Sequence, residues 1–176
     1  KLFTFIYSTT NLIGSEHLFS TSNINKFLPL LCFNKHLDKT ANILDLGVEN
    51  PLSKLMIEEG YKVQNTIGED LDENFDSLQN KDYDVLTAFE ILEHLLNPYS
   101  VLKNCKANKV FISIPLRLWF ATAYRSKIDK WDRHYHEFED WQLDWLLEKS
   151  GFKIVDSIKW AHPVNKFGIR PLLRKF

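Results

Sequence analysis

The sequence predicts an α/β fold: a mostly parallel sheet with helices on both faces, giving a three-layer sandwich. Three observations predict it. Short apolar runs of strand length, such as Ile43-Leu44 and Val110-Phe-Ile-Ser-Ile114, alternate along the chain with amphipathic stretches of helical length. Two of those stretches open with Asn-Pro, at Asn50-Pro51 and Asn97-Pro98, where Asn caps a helix and Pro suits its first position. The composition is globular, with 44% hydrophobic and 26% charged residues, and 176 residues suffice for one domain.

The elements follow in order. Residues 1–40 read as a helical leader packed on the domain formed by residues 41–176. The leader carries Ser, Thr and Asn caps around Thr21 to Asn23 and an apolar run, Phe27 to Phe33, of mixed periodicity. Ala41 to Leu46 is a buried strand. A helix starts after Asn50, buries Leu52, Leu55 and Met56, and ends before Gly60. Tyr61 to Ile67 is a second strand. Gly68 to Lys81 is acidic and loop-like. Tyr83 to Phe89 is a third strand, and the helix from Asn97-Pro98 runs through Cys105. Lys109 to Ile114 is a fourth strand, stopped by Pro115. A helix over about Glu137 to Lys149 has acidic residues in its first turn and Lys149 in its last, as the helix dipole favours. Phe152 to Trp160 is the last strand.

Charge and cysteine content bound the function. With 22 basic and 23 acidic side chains, the chain lacks the positive excess of a general nucleic-acid binder. No apolar run is long enough to span a bilayer as a helix. Cys32 and Cys105 show no metal-ligand spacing and read as buried thiols of a cytoplasmic protein. The chain starts without Met, so it is expected to be a piece of a longer one.

Ligands of parallel α/β sheets bind at the carboxyl ends of the strands. There the sequence resembles the class I S-adenosylmethionine-dependent methyltransferases, and most of all the small-molecule branch that includes those of ubiquinone biosynthesis. The resemblance rests on Ile43-Leu-Asp-Leu-Gly47, Tyr83-Asp-Val-Leu86 running into Phe89-Glu-Ile-Leu-Glu-His-Leu95, Phe111-Ile-Ser-Ile-Pro115, and His136-Glu-Phe138 followed by Leu146 to Phe152. It covers roughly residues 41–160. It implies a Rossmann-like sheet, S-adenosylmethionine as cofactor, and methyl transfer to a small-molecule acceptor. The sulfonium already activates the methyl group, so alignment of the reactants supplies much of the rate.

The resemblance also implies a set of site residues. Asp45, Gly47, Val48, Glu49, Asp70, Phe89, Glu90 and His94 fall on the cofactor side, and His134 and His136 are the candidate bases. No metal is expected. Gly47-Val-Glu-Asn-Pro51 keeps only the first of the family's small residues, which brings Val48 and Glu49 into the methionine region. The position of the ribose-binding acid falls on Ile67, so Glu69, Asp70 or Asp72 must replace it, Asp70 being the first choice. Too little chain separates Asp70 from Val85 for a strand and its helix. One edge strand is therefore expected to be absent or vestigial, and the C-terminal strand to be truncated. Residues 116–136 mix Trp119, Phe120, Tyr124, Trp131 and Tyr135 with Arg and Lys, which suits a lid over an anionic or sugar-like acceptor. Two other readings stand beside this one: a degenerate methyltransferase-like domain that binds without catalysis, and a nucleotide-binding oxidoreductase, for which Val48, Glu49 and Pro51 supply no pyrophosphate turn.

Overall fold

A computed structural model of the chain describes residues 2–9, 35–117 and 126–161. The strands are β1 (Leu2–Thr9), β2 (Asn42–Asp45), β3 (Lys62–Asn65), β4 (Val85–Phe89), β5 (Lys109–Pro115) and β6 (Lys153–Ala161). The helices are α1 (Pro51–Glu58), α2 (Asp76–Asn80), α3 (Pro98–Asn104) and α4 (Asp140–Ser150). The strands form one sheet in the order β3-β2-β4-β5-β1-β6, with every pairing parallel. This is the expected Rossmann-like α/β architecture.

The helix starts follow from their caps. The Asn50 side chain accepts the Leu52 and Ser53 N–H groups at 2.9 and 3.0 Å, while Ser53 Oγ accepts the Asn50 N–H at 2.9 Å. These bonds satisfy donors that the first turn of a helix leaves open. Asn97 does the same for Ser100 N–H at α3. Helix α4 starts three residues later than the sequence suggests. Phe138 instead bridges to Leu116 in strand fashion and accepts the Arg117 N–H at 2.8 Å, which leaves Glu139 to cap the helix.

Alternation along the strands fills both faces of the sheet. On one face Ile43, Val85 and Phe111 pack with Met56 of α1, Tyr61 and Leu37. On the other, Leu44, Leu86, Val110, Ile112 and Ile114 pack with Leu78 of α2, Val101 and Leu102 of α3, and Leu143 and Leu147 of α4. The three layers are thus sequence-encoded strand by strand. Cys105 is buried among them, as expected.

Two expectations concern the sheet's edges. Among the described residues no strand lies between β3 and β4, and the five-residue α2 is all that remains of a crossover helix there. The missing edge strand is borne out. The helical leader is corrected: residues 2–9 form β1, which lies between β5 and β6 and runs parallel to both. The apolar run at 27–33, Cys32 and the tail after Ala161 lie outside the described residues. No described helix is long and apolar enough to cross a membrane.

Candidate functional site

The chain leaves β2 toward β3 on one side and leaves β4 toward β5 on the other. The β2–β4 boundary is therefore the sheet's switch point, where the loops diverge and where sheets of this kind bind their ligands. The turn after β2 borders it. Gly47 has φ +100°, a conformation that disfavours side chains, and a Cβ there would lie 3.6 Å from Ile91 Cδ1, in ordinary contact. So the turns after β2 and β4 abut at Gly47 and Ile91.

Asp45 organises this turn. Its Oδ1 accepts the Thr87 hydroxyl at 2.5 Å, and its Oδ2 accepts Asn50 Nδ2 at 3.1 Å and Asn65 Nδ2 at 3.0 Å. The same two amides also donate to Val48 O and Gly47 O, each at 3.3 Å, and Gly47 N–H donates to Thr66 Oγ1 at 2.8 Å. One buried carboxylate thereby ties the ends of β2, β3 and β4 to the turn. Burial raises its pKa despite the three hydrogen bonds.

Val48 and Glu49 do not both turn inward. Glu49 is exposed and pairs with Lys54 at 3.0 Å. Val48 leans on the loop after β3, its Cγ1 3.0 Å from where a Cβ of Gly68 would lie. In that loop Asp70 serves its own turn: its Oδ1 accepts the Asp72 N–H at 3.0 Å. Asp72 accepts the Leu96 and Asn97 N–H groups at 2.8 and 2.7 Å and so fixes the start of α3. Glu69 is different. Its Oε2 accepts the Ile67 N–H at 2.8 Å, while its Oε1 is buried without a hydrogen-bond partner. Glu69 follows Gly68, which meets Val48 of the turn after β2, and Ser77 and Lys81 also act on its carboxylate.

The residues after β4 carry the strongest perturbations. Phe89, partly buried, packs against the core face that holds Val85 and Phe111. Glu90 has φ +54°, strained for a non-glycine residue, and its Oε1 accepts the Ser113 hydroxyl at 2.8 Å. Burial pushes its pKa up to about 7, where a carboxyl can take a proton near neutrality. Leu92–His94 is a 3₁₀ turn. Glu93 within it is 1% exposed, and neither carboxylate oxygen has a hydrogen-bond partner.

The segment before α4 lies over this turn. The Tyr135 and His136 N–H groups donate to Glu93 O at 2.8 and 3.2 Å. His94 Nδ1–H donates to Arg133 O at 3.1 Å, and His136 Nε2–H donates to Leu96 O at 3.3 Å. His136 is thus a docking contact. His134 is buried against His94, and burial first, then the His94 charge, pushes its pKa down to about 4. A ring so shifted is a weak base at neutral pH. Glu93, His94 and His134 together offer three ligand atoms within 4.8 Å of one another. Sequence spacing shows no such cluster, because its members come from two distant segments.

Comparison with protein-family models, with curated proteins and with solved structures finds no match in any of the three. The reading of this site therefore rests on its geometry and on the sequence resemblance.

Proposed function

We propose that the chain is an S-adenosylmethionine-dependent methyltransferase acting on a small-molecule acceptor. The observation that carries the reading is the switch point between β2 and β4, bordered by the Gly47 turn, which Asp45 holds in place, and by Glu69 in the loop after β3. These residues fit the cofactor: Glu69 would accept a ribose hydroxyl, and the Gly47 backbone would admit the methionine moiety. The cofactor supplies a methyl group activated by its sulfonium. The chain's part is to align the acceptor and, where the acceptor carries a proton, to receive it at Glu90. Ile128, Trp131 and Tyr135, all exposed in the segment that carries His134, suit an acceptor-covering lid. The buried Cys105 thiol suits a cytoplasmic setting.

Calorimetric titration of the full chain with S-adenosylmethionine and with its demethylated product tests this. Saturable binding of both is expected. No heat with either ligand at high micromolar concentration would overturn the proposal. The exposed Val48 and the outward Glu49 in place of small residues favour a second reading, a domain that binds without turnover. Binding of both ligands with no methyl transfer to any of a panel of hydroxylated acceptors would select it.

A further inference from the structure

We infer that Glu93, His94 and His134 form a binding site for a first-row divalent cation such as Zn²⁺ or Mn²⁺. The inference concerns the chain's own side chains and stands whether or not methyl transfer is the reaction.

Four observations converge on it. The first is the donor set: two imidazoles and one carboxylate, with a ligand atom of each within 4.8 Å of the others. Two His and one acid are a common protein ligand set for zinc and for non-haem iron, and they leave positions open for water or a ligand oxygen. Bound to one ion at about 2.0–2.2 Å, such atoms stand roughly 3.5 Å apart. His94 Nε2 and Glu93 Oε1 are already at 3.8 Å. Closing the cluster needs only a modest inward shift.

The second observation is the carboxylate itself. Glu93 is almost wholly buried, and both of its oxygens lack a hydrogen bond. A buried acid without partners is rare in native structures because its desolvation is uncompensated. A cation bound to it compensates directly.

The third is orientation. The Nδ1–H of His94 donates to Arg133 O at 3.1 Å, which leaves the Nε2 lone pair facing Glu93. An outer hydrogen bond of this kind is the usual device that fixes the tautomer of a metal-binding His. The Tyr135 and His136 N–H groups, bonded to Glu93 O, pin the next residues of the same segment and hold His134 over the turn. The ligands are thus preorganised by backbone hydrogen bonds and by the edge-to-face contact of the two rings.

The fourth is the local charge. Glu137 Oε1 is 3.7 Å from His134 Nδ1, as Glu93 Oε1 is 3.8 Å from His94 Nε2. Each imidazole thus faces a carboxyl group, and among the described residues no Lys or Arg is paired with Glu93. A dication is the simplest counter-charge.

The test uses the full chain, stripped with EDTA, dialysed, and titrated separately with Zn²⁺ and Mn²⁺ in the absence of any organic ligand. Calorimetry is expected to give one site per chain, with micromolar or tighter affinity for at least one ion, and the thermal midpoint is expected to rise with that ion. Glu93→Gln, His94→Ala and His134→Ala should each weaken binding by about tenfold or more. His36→Ala, far from the cluster, should not. Glu93→Gln also separates site loss from misfolding. In EDTA it should melt close to the parent chain, because it replaces a buried carboxyl that has no hydrogen-bond partner by a side chain of the same shape, yet it should show no metal-induced rise. If that variant fails to fold, His94→Ala, at a part-exposed position, carries the test alone. No saturable binding of either ion, or binding that survives all three substitutions, would overturn the inference.

Discussion

The imidazole rings of His94 and His134 meet edge to face, with centroids 4.7 Å apart and planes at 88°. One belongs to the turn after β4 and the other to the segment before α4. With the His94–Arg133 and Tyr135–Glu93 hydrogen bonds, this contact fastens the segment to the sheet's switch point. His94→Ala removes the ring contact and one side-chain hydrogen bond together. Without added metal it should destabilise the chain by about 1–2 kcal/mol. Hydrogen exchange should speed up at the Tyr135 and His136 amides more than at α4. Uniform acceleration across both would mean that the contact does not act locally.

Asp45 should be the least replaceable polar residue at the switch point. Asp45→Ala leaves the Thr87 hydroxyl and two amide donors, Asn50 Nδ2 and Asn65 Nδ2, without their shared acceptor. Stranded buried donors of this kind should lower stability by roughly 2–4 kcal/mol in total. Urea unfolding would register this as a lower midpoint at unchanged slope. Affinity for S-adenosylmethionine should fall as well, because the same amides hold the Gly47 turn.

Much of this fold is legible locally. Ile43-Leu44 and Val110 to Ile114, apolar but for Ser113, suit strands buried on both faces, and Asn50-Pro51 and Asn97-Pro98 announce their helices. What escaped local reading depends on contacts far apart in sequence. Leu2 to Thr9 is rich in aromatic and β-branched residues, but nothing in it states that it will insert between β5 and β6. The Glu93–His94–His134 cluster has no spacing signature, since chain reversal before α4 creates it. In the acidic loop the difference between Asp70 and Glu69 is one residue. It is decided by which carboxylate the Asp70–Asn74 turn consumes, and composition does not encode that.

That difference is testable. If Glu69 holds the ribose, Glu69→Gln should weaken S-adenosylmethionine binding by about tenfold or more, the scale of one charge-assisted hydrogen bond. Asp70→Asn should alter affinity by less than about twofold, because Asp70 Oδ1 is already occupied by the Asp72 N–H. Parallel calorimetric titrations of the two variants decide the matter, and the reverse ranking would return the role to Asp70.

At the opposite sheet edge, Asp156 of β6 accepts Lys35 Nζ and His36 Nε2, each at 2.7 Å. Lys35 first, then His36, holds its carboxyl down to about 2, below the ordinary 3.8. A depressed carboxylate favours the folded state above the unfolded pKa, and that contribution is lost as pH falls through the folded value. The window is thus about pH 4 to 2. The pair is partly exposed, so the effect should stay under about 1 kcal/mol and shrink in high salt. Thermal melts of the parent chain and Asp156→Asn should converge across this window and separate above it. A constant gap throughout would show that Asp156 acts by packing alone.

The two loop glycines that border the switch point should respond differently to alanine. At Gly47 the backbone is left-handed, but a methyl group meets only Ile91 Cδ1 at 3.6 Å. Gly47→Ala should therefore carry the conformational penalty alone, about 1–2 kcal/mol. At Gly68 the backbone is also left-handed, and a Cβ would lie 3.0 Å from Val48 Cγ1. Gly68→Ala adds a steric term to the conformational one. Val48→Ala removes that term without touching the backbone angle. In the double variant Gly68→Ala/Val48→Ala, part of the loss should be recovered, giving a favourable coupling of about 0.5 kcal/mol or more. No such coupling is expected between Gly47→Ala and Val48→Ala. Urea denaturation of the full cycle measures both terms. Strict additivity at Gly68 would mean that Val48 does not rest on the loop after β3.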